Sequence, residues 1–403
     1  MSGGNMEKVF KLMAERQASD VYLSASTPVQ VKINGEMLQL SDQPLTPNQP
    51  RELLAEVLTA EQLKELDTTG ELNVGVGVAG VGRFRLSAFR QRGTIAAVFR
   101  FIPFSIPTLE SLQLPPLMNT LALQKRGLIL VVGATGAGKS TSLAAMLEQR
   151  NQNMTGHILT IEDPMEFLFR NKRSVVNQRE VGRDTETLNI GLKNALRQAP
   201  DCILIGEIRD REAMSAALSY SLSGHLVLST LHANNSYHAL SRILSFYPPE
   251  ARLTMLADLA AGLRAVVSQR LLRSTSGQRI PTVEVMQNTQ LVSDLIEAGD
   301  LGGVRDAMEK SMAEGSQTFE QDLARLVKEG MVSKDEAMAY ADSPTNLMWR
   351  LQNDDTGKKK KVVAKPEPTH EEPVFTDIVV DVAAPARAAL VSEDPPWMRR
   401  GKT

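Results

Sequence analysis

Between positions 7 and 17 the apolar residues Val9, Phe10, Leu12 and Met13 fall at helical spacing, and Ser19-Asp20 ends the pattern. Period-two alternation follows. Val29, Val31 and Ile33 alternate with polar residues and run into Asn34-Gly35, a dipeptide suited to the positive φ angles of a tight hairpin turn. The spacing predicts a second helix over residues 50–66, then a hairpin over 72–89, where Val74, Val76 and Val78 alternate with Gly75 and Gly77. A further strand over 94–101 closes a mixed α/β domain spanning residues 1–105.

Pro103, Pro107, Pro115 and Pro116 each fix φ and remove a backbone donor, which places a linker at 106–116. Beyond it the rhythm changes. Short, fully apolar runs at 128–132, 158–161, 202–205 and 226–231 alternate with helical patterns, as expected of a parallel sheet buried on both faces and covered by helices. Residues 240–272 and 291–351 read as mostly helical, with breaks at Pro248-Pro249, Gly299, Gly302-Gly303 and Gly315, so the second domain, 117–353, ends in a helical subdomain. The last stretch, 354–403, holds six of the 20 prolines and nine basic against nine acidic residues; it has too little apolar surface to offset its ordering entropy and reads as a disordered tail.

Composition narrows the possible functions. The length of 403 residues implies two or three domains. With 45 Lys plus Arg against 47 Asp plus Glu and 4% aromatics, the chain offers neither the basic field nor the stacking platform of a nucleic-acid motor. A single cysteine, Cys202, excludes an internal disulfide framework and a Cys-only zinc site. No apolar run approaches the roughly 18 residues of a membrane span, and the first residues lack signal-peptide features, so a cytoplasmic protein is expected.

The strongest chemical signal is Gly133-Ala134-Thr135-Gly136-Ala137-Gly138-Lys139-Ser140, set between an apolar strand and a helical segment that begins at Thr141. It matches the phosphate-binding loop in full and in the required strand-loop-helix context. Glycines let backbone N–H groups close around a β-phosphate, Lys139 reaches the β- and γ-phosphates, and the Ser140 hydroxyl ligates Mg2+. By contrast, Gly75-Val76-Gly77-Val78-Ala79-Gly80 also spells the dinucleotide motif but continues as a strand, so it reads as a hairpin.

Two acidic sites lie at the ends of apolar strands, where α/β sheets place their chemistry. Glu162 opens Glu162-Asp163-Pro164-Met165-Glu166, and Glu207 ends Ile203-Leu204-Ile205-Gly206 in the layout of a Walker B acid, facing Mg2+ through water. His225 and His232 bracket the apolar run 226–231, which holds them more than about 20 Å apart and excludes a shared metal. His232, at the carboxyl end, is placed to sense a γ-phosphate. His225, at the other end, reads as a capping or packing residue as readily as a functional one. Arg83, Arg85 and Arg100 lie on neighbouring strands of the first domain and, from periodicity alone, are sheet-surface charges.

In order and spacing, residues 133–140, 160–167, 204–210 and 224–235 resemble the Walker A, Asp box, Walker B and His box of the secretion ATPases of type II secretion and type IV pili. The resemblance extends over residues 6–351 and is to the retraction branch, PilT and especially PilU. Leu196-Arg197-Gln198-Ala199-Pro200-Asp201, His232-Ala233-Asn234-Asn235, Gln317-Thr318-Phe319 and Ala341-Asp342-Ser343 are PilU-like. Where PilT proteins carry Ala-Ile-Arg-Asn-Leu-Ile, the comparable stretch in this chain is Gln290-Leu291-Val292-Ser293-Asp294-Leu295-Ile296. Extension and secretion members often carry a four-Cys zinc insertion, which one cysteine cannot supply.

The resemblance implies a PAS-like N-terminal α/β domain, a RecA-like ATPase domain and a homohexameric ring that uses ATP and Mg2+ to drive pilus retraction and twitching motility. It implies a PilT-like ATPase and the inner-membrane platform protein as partners, at the cytoplasmic side of the pilus base. By motif position Glu162 is the catalytic base, Glu207 the magnesium-side acid and His232 a coupling residue. Arg85 and Arg100 match the paired arginines brought onto the phosphates; Arg197 takes a matching position upstream of Walker B, and Lys193 stands where related members often carry Arg. The rival expectation is an auxiliary ring subunit that binds ATP and supports PilT assembly with little hydrolysis of its own.

Overall fold

The structure, a computed structural model, describes residues 4–16, 18–33, 36–102, 105–310 and 313–353. The expected turn at Asn34-Gly35, Pro103 of the linker and the tail at 354–403 lie outside the described residues.

The amino-terminal part is built on strands β1 (Asp20–Leu23), β2 (Gln30–Ile33), β3 (Glu36–Gln39), β4 (Glu71–Val78), β5 (Gly82–Gln91) and β6 (Thr94–Ile102), in the order β3-β2-β1-β6-β5-β4. Every neighbouring pair is antiparallel. Helices α1 (Asn5–Arg16), α2 (Gln49–Ala55) and α3 (Ala60–Thr69) bring Met6, Phe10, Met13, Leu54 and Leu66 against the sheet. Phe10 stacks on Phe84 at 4.1 Å between ring centres and meets Phe99 edge-on at 5.0 Å. Strict alternation along β5 buries Phe84, Leu86 and Ala88 and sends Arg83, Arg85 and Ser87 to the opposite face. The Gly75–Gly80 motif is indeed hairpin, with Gly80 at φ 75° in its turn.

The helix expected over 50–66 is two helices. Thr59 caps the second: its hydroxyl accepts from the Gln62 N–H while the Gln62 side chain accepts from the Thr59 N–H. This reciprocal box satisfies donors that a continuous helix would not leave free, and Thr59-Ala60-Glu61-Gln62 is its sequence signature.

The second sheet contains β7 (Gly127–Val132), β8 (Gly156–Glu162), β9 (Ser174–Glu180), β10 (Cys202–Glu207), β11 (Leu226–Leu231), β12 (Leu263–Arg273) and β13 (Arg279–Gln287), ordered β13-β12-β7-β11-β10-β8-β9. All pairs are parallel except β12 with β13. Every residue of β7 is buried, with Leu128, Leu130 and Val132 in one core and Ile129 and Val131 in the other. Two covered faces are why this strand reads as an unbroken apolar run.

Around the sheet lie α4 (Leu117–Ala122), α5 (Lys139–Asn153), α6 (Leu188–Ala195), α7 (Arg211–Leu222), α8 (Ser236–Ser245) and α9 (Arg252–Gly262). They are followed by α10 (Gln290–Glu297), α11 (Leu301–Glu309), α12 (Phe319–Lys328), α13 (Lys334–Tyr340) and α14 (Pro344–Asn353), the expected helical end. Two corrections arise here. Residues 263–272, expected to be helical, are strand β12, because the run Leu263–Leu272 inserts beside β7 and pairs with β13 instead of covering the sheet. Gly302-Gly303 does not break a helix but begins α11, with the Asp300 carboxylate accepting the Gly303 N–H as its cap. Among the described residues no helix is long and apolar enough to cross a membrane.

Candidate active site

Strands β7, β8, β10 and β11 are parallel, so their carboxyl ends gather at one edge of the sheet, and the chain reverses its strand order beside β7. Such a reversal opens a crevice for ligands. Residues 133–138 leave β7 there and turn into α5, whose amino terminus faces the loop. Gly136 and Gly138 take φ of 78° and 89°, left-handed values that a side chain would resist. Lys139 lies back along the loop, its Nζ donating to the Gly133 and Ala134 carbonyls at 2.9 Å each. Burial lowers its pKa, an effect opposed by the nearby carboxylates of Glu207 and Glu166.

One cavity of about 100 Å³ collects the predicted chemistry: Ser140, Glu162, Glu166, Gly206, Glu207 and Thr230 all line it. Glu162 is 8% exposed, and its burial raises the carboxyl from 4.5 to about 7, although donors from Thr160 Oγ1 at 2.7 Å and Gln178 Nε2 at 3.3 Å pull the other way. A carboxyl poised there exchanges protons near neutrality, as a general base requires. Glu207 has one oxygen 3.1 Å from His232 Nε2 and the other 2.8 Å from Arg209 Nε, and Arg209 also stands 3.9 Å from Asp163. The donor set toward the cavity, a hydroxyl and carboxylates, consists of the hard oxygens that suit Mg2+. Above the outer side of the loop, Ala134, Thr135, Gly136 and Ala137 border a wider cleft of about 1450 Å³ that Ser19 and Lys32 of the amino-terminal part also reach.

Other expected residues are distributed differently. Arg85 and Arg100 face each other in register across β5 and β6. Arg100 donates to Asp20 Oδ1 at 2.8 Å, which with the field of Glu166 strengthens its hold on its proton, and neither arginine pairs with Glu162 or Glu207 among the described residues. The ion pair that does bridge the two sheets is one the sequence did not mark out: Arg83 Nη2 lies 2.7 Å from Glu180 Oε2, both largely buried, and the same oxygen accepts the Met165 N–H just beyond Glu162.

Arg197, expected at the nucleotide, is not brought there. It is exposed in a short 3-10 turn before β10, at the amino end of the strands, and β10 runs its full length from that turn to Glu207. Lys193 is likewise exposed on α6. His225 has its Nδ1 3.2 Å from the carbonyl of Tyr220, a local contact at the end of α7.

Sequence reasoning missed Thr160, Gln178 and Arg209, which hold the two acids. Thr160 opens the box at 160–167 without a role assigned to it, and Gln178 lies sixteen residues after Glu162, beyond that box; the pairing of β8 with β9 brings the two together.

A phosphate loop at the switch point of a parallel sheet, with a buried and a half-buried acid at adjacent strand ends, defines a P-loop ATPase. The chain belongs to the Type II/IV secretion system protein family, whose model matches residues 6–339. It is 44% identical over 347 residues to the type IV pilus ATPase PilU of Pseudomonas aeruginosa, covering 86% of this chain and 91% of that protein. It is 36% identical over 343 residues to the type IV pilus retraction ATPase PilT of the same organism, covering 85% of this chain and all of that protein. Among solved structures it is similar to the pilus retraction motor PilT with bound ADP, at a TM-score of 0.80 and 38% identity over 85% of this chain and 99% of that one. The fold is therefore the expected α/β one, a PAS-like part joined to a RecA-like ATPase with a helical end, and the protein is an ATPase.

Proposed function

We propose that this chain is a PilU-like motor ATPase that powers type IV pilus retraction, working in a homohexameric ring on the cytoplasmic side of the inner membrane with a PilT-like ATPase and the pilus platform protein. What carries the proposal is the convergence of Ser140, Glu162 and Glu207 on one cavity beside the phosphate loop, in a chain similar to PilU over nearly its whole length. A noncatalytic partner subunit would have no need of this set.

In the proposed mechanism residues 133–138, with Lys139, Ser140 and Thr141, bind the phosphates of ATP through backbone N–H groups and the lysine. Ser140 and Glu207 would hold Mg2+, which when bound neutralises charge between the β- and γ-phosphates. Glu162 takes the proton of the attacking water, its orientation set by Thr160 and Gln178. His232, against Glu207, reports on that acid to the loop that leads into α8. Arg85 and Arg100 supply mobile positive charge on the sheet face that also carries Arg83, and the Arg83–Glu180 pair marks that face as adjacent to the loop after Glu162. The two parts act as domains, residues 1–105 and 117–353, hinged at 106–116.

Deleting the gene in a piliated cell, with and without its PilT-like partner, tests the proposal. Excess pili or lost twitching is expected; loss of pili would indicate extension and overturn it. Purified Lys139→Ala protein is expected to lose ATP hydrolysis.

A further inference from the structure

We propose that Gln269 is a positioning residue for the phosphate loop. β12 is apolar and buried through most of its length, yet it carries an amide only 4% exposed. Buried amides are retained where they are bonded. Gln269 meets the loop at three points. Its main-chain oxygen lies 2.4 Å from where a Cβ on Gly133 would stand, at the loop's first residue. Its Nε2 lies 2.9 Å from the corresponding position on Gly138, the loop's last residue. Its Oε1 accepts the Ser142 hydroxyl at 2.7 Å, in the first turn of α5. One residue thus meets both ends of the loop and the helix it feeds: its main chain packs on the beginning, and its side chain joins the end to α5.

β12 is itself held on its other side by the next residue. Arg270 donates to the Asn234 carbonyl at 3.1 Å and to Asp342 at 2.5 Å, with its guanidinium 3.8 Å from the centre of the Phe319 ring. Gln269 is absent from the walls of the cavity that holds Glu162, so it acts through the loop and not on the reacting atoms. A backbone cradle binds phosphate only while its N–H groups converge, and loosening either end spreads them.

The inference rests on residues 133–140 binding nucleotide and is independent of pilus retraction. The test uses the full chain, with a fluorescent ADP for affinity and steady-state hydrolysis for KM and kcat. Gln269→Met keeps the volume and removes the hydrogen bond to Ser142; Ser142→Ala removes the same bond from its partner. Each is expected to weaken ADP binding and raise KM about fivefold, with kcat held within about twofold, the worth of one buried neutral hydrogen bond. The double variant is expected to bind no more weakly than either single one, since both remove one interaction. Unchanged ADP affinity in Gln269→Met, or effects that multiply to about 25-fold in the double variant, would overturn the inference. Lys139→Ala serves as the separate control: full ADP binding there would instead discard the phosphate-loop reading itself.

Discussion

Glu162→Gln separates burial from chemistry in a single substitution. The amide keeps the shape of the side chain and an oxygen to accept from Thr160, but it has no charge to bury. In the native protein burial moves this carboxyl from 4.5 to about 7. Between those values the folded chain binds a proton that the unfolded chain has released, so the stability contributed by this group is full below about 4.5 and is lost as pH rises through about 7. At about 1.4 kcal/mol for each tenfold change, the ionised carboxylate costs about 3 kcal/mol above that range. Chemical denaturation of both proteins without nucleotide, across about pH 5 to 8, is therefore expected to show the Gln variant gaining up to about 3 kcal/mol on wild type as the pH rises. In parallel, kcat/KM of the wild type, which reports the free enzyme, is expected to rise with pH through a limb near 7, and the Gln variant to lose hydrolysis by about 100-fold or more. A stability difference that does not change with pH would refute the buried, protonated carboxyl. Wild-type hydrolysis by the Gln variant would refute its role as base.

Three further outcomes are expected from the structure. Arg83→Ala strands Glu180 in a buried setting and should cost about 3 kcal/mol by denaturant titration, with part of the loss recovered by adding Glu180→Gln. Thr59→Ala removes the hydroxyl that accepts the Gln62 N–H in the capping box at α3 and should cost about 1 kcal/mol, read as a lowered melting temperature. Burial pushes the Cys202 thiol up to about 12, so a thiol reagent should leave the native protein unlabelled and modify it fully only in denaturant.

By itself the sequence determined the elements whose signals are local. Five strictly apolar residues bounded by glycine gave β7, a glycine-rich octet before a helical pattern gave the phosphate loop, and acids at the ends of two apolar runs gave Glu162 and Glu207. Each depends on backbone geometry or on burial of a contiguous segment, which neighbouring residues dictate. Only tertiary structure decided the rest. The run at 263–272 has apolar residues compatible with either a covering helix or an inserted strand, and its place beside β7 made it β12. That choice is what brings Gln269 against Gly133 and Gly138, 131 and more positions away along the chain. Arg83 and Arg85 are two residues apart on one face, indistinguishable by periodicity; packing against β9 gave Arg83 the partner Glu180. Arg197 lies close in sequence to the acid at the end of β10, yet a strand is extended and carries its two ends to opposite edges of the sheet. Side chains that hold a site from another strand leave no mark in the sequence around it, because the register that pairs them is set by the burial of whole sheets.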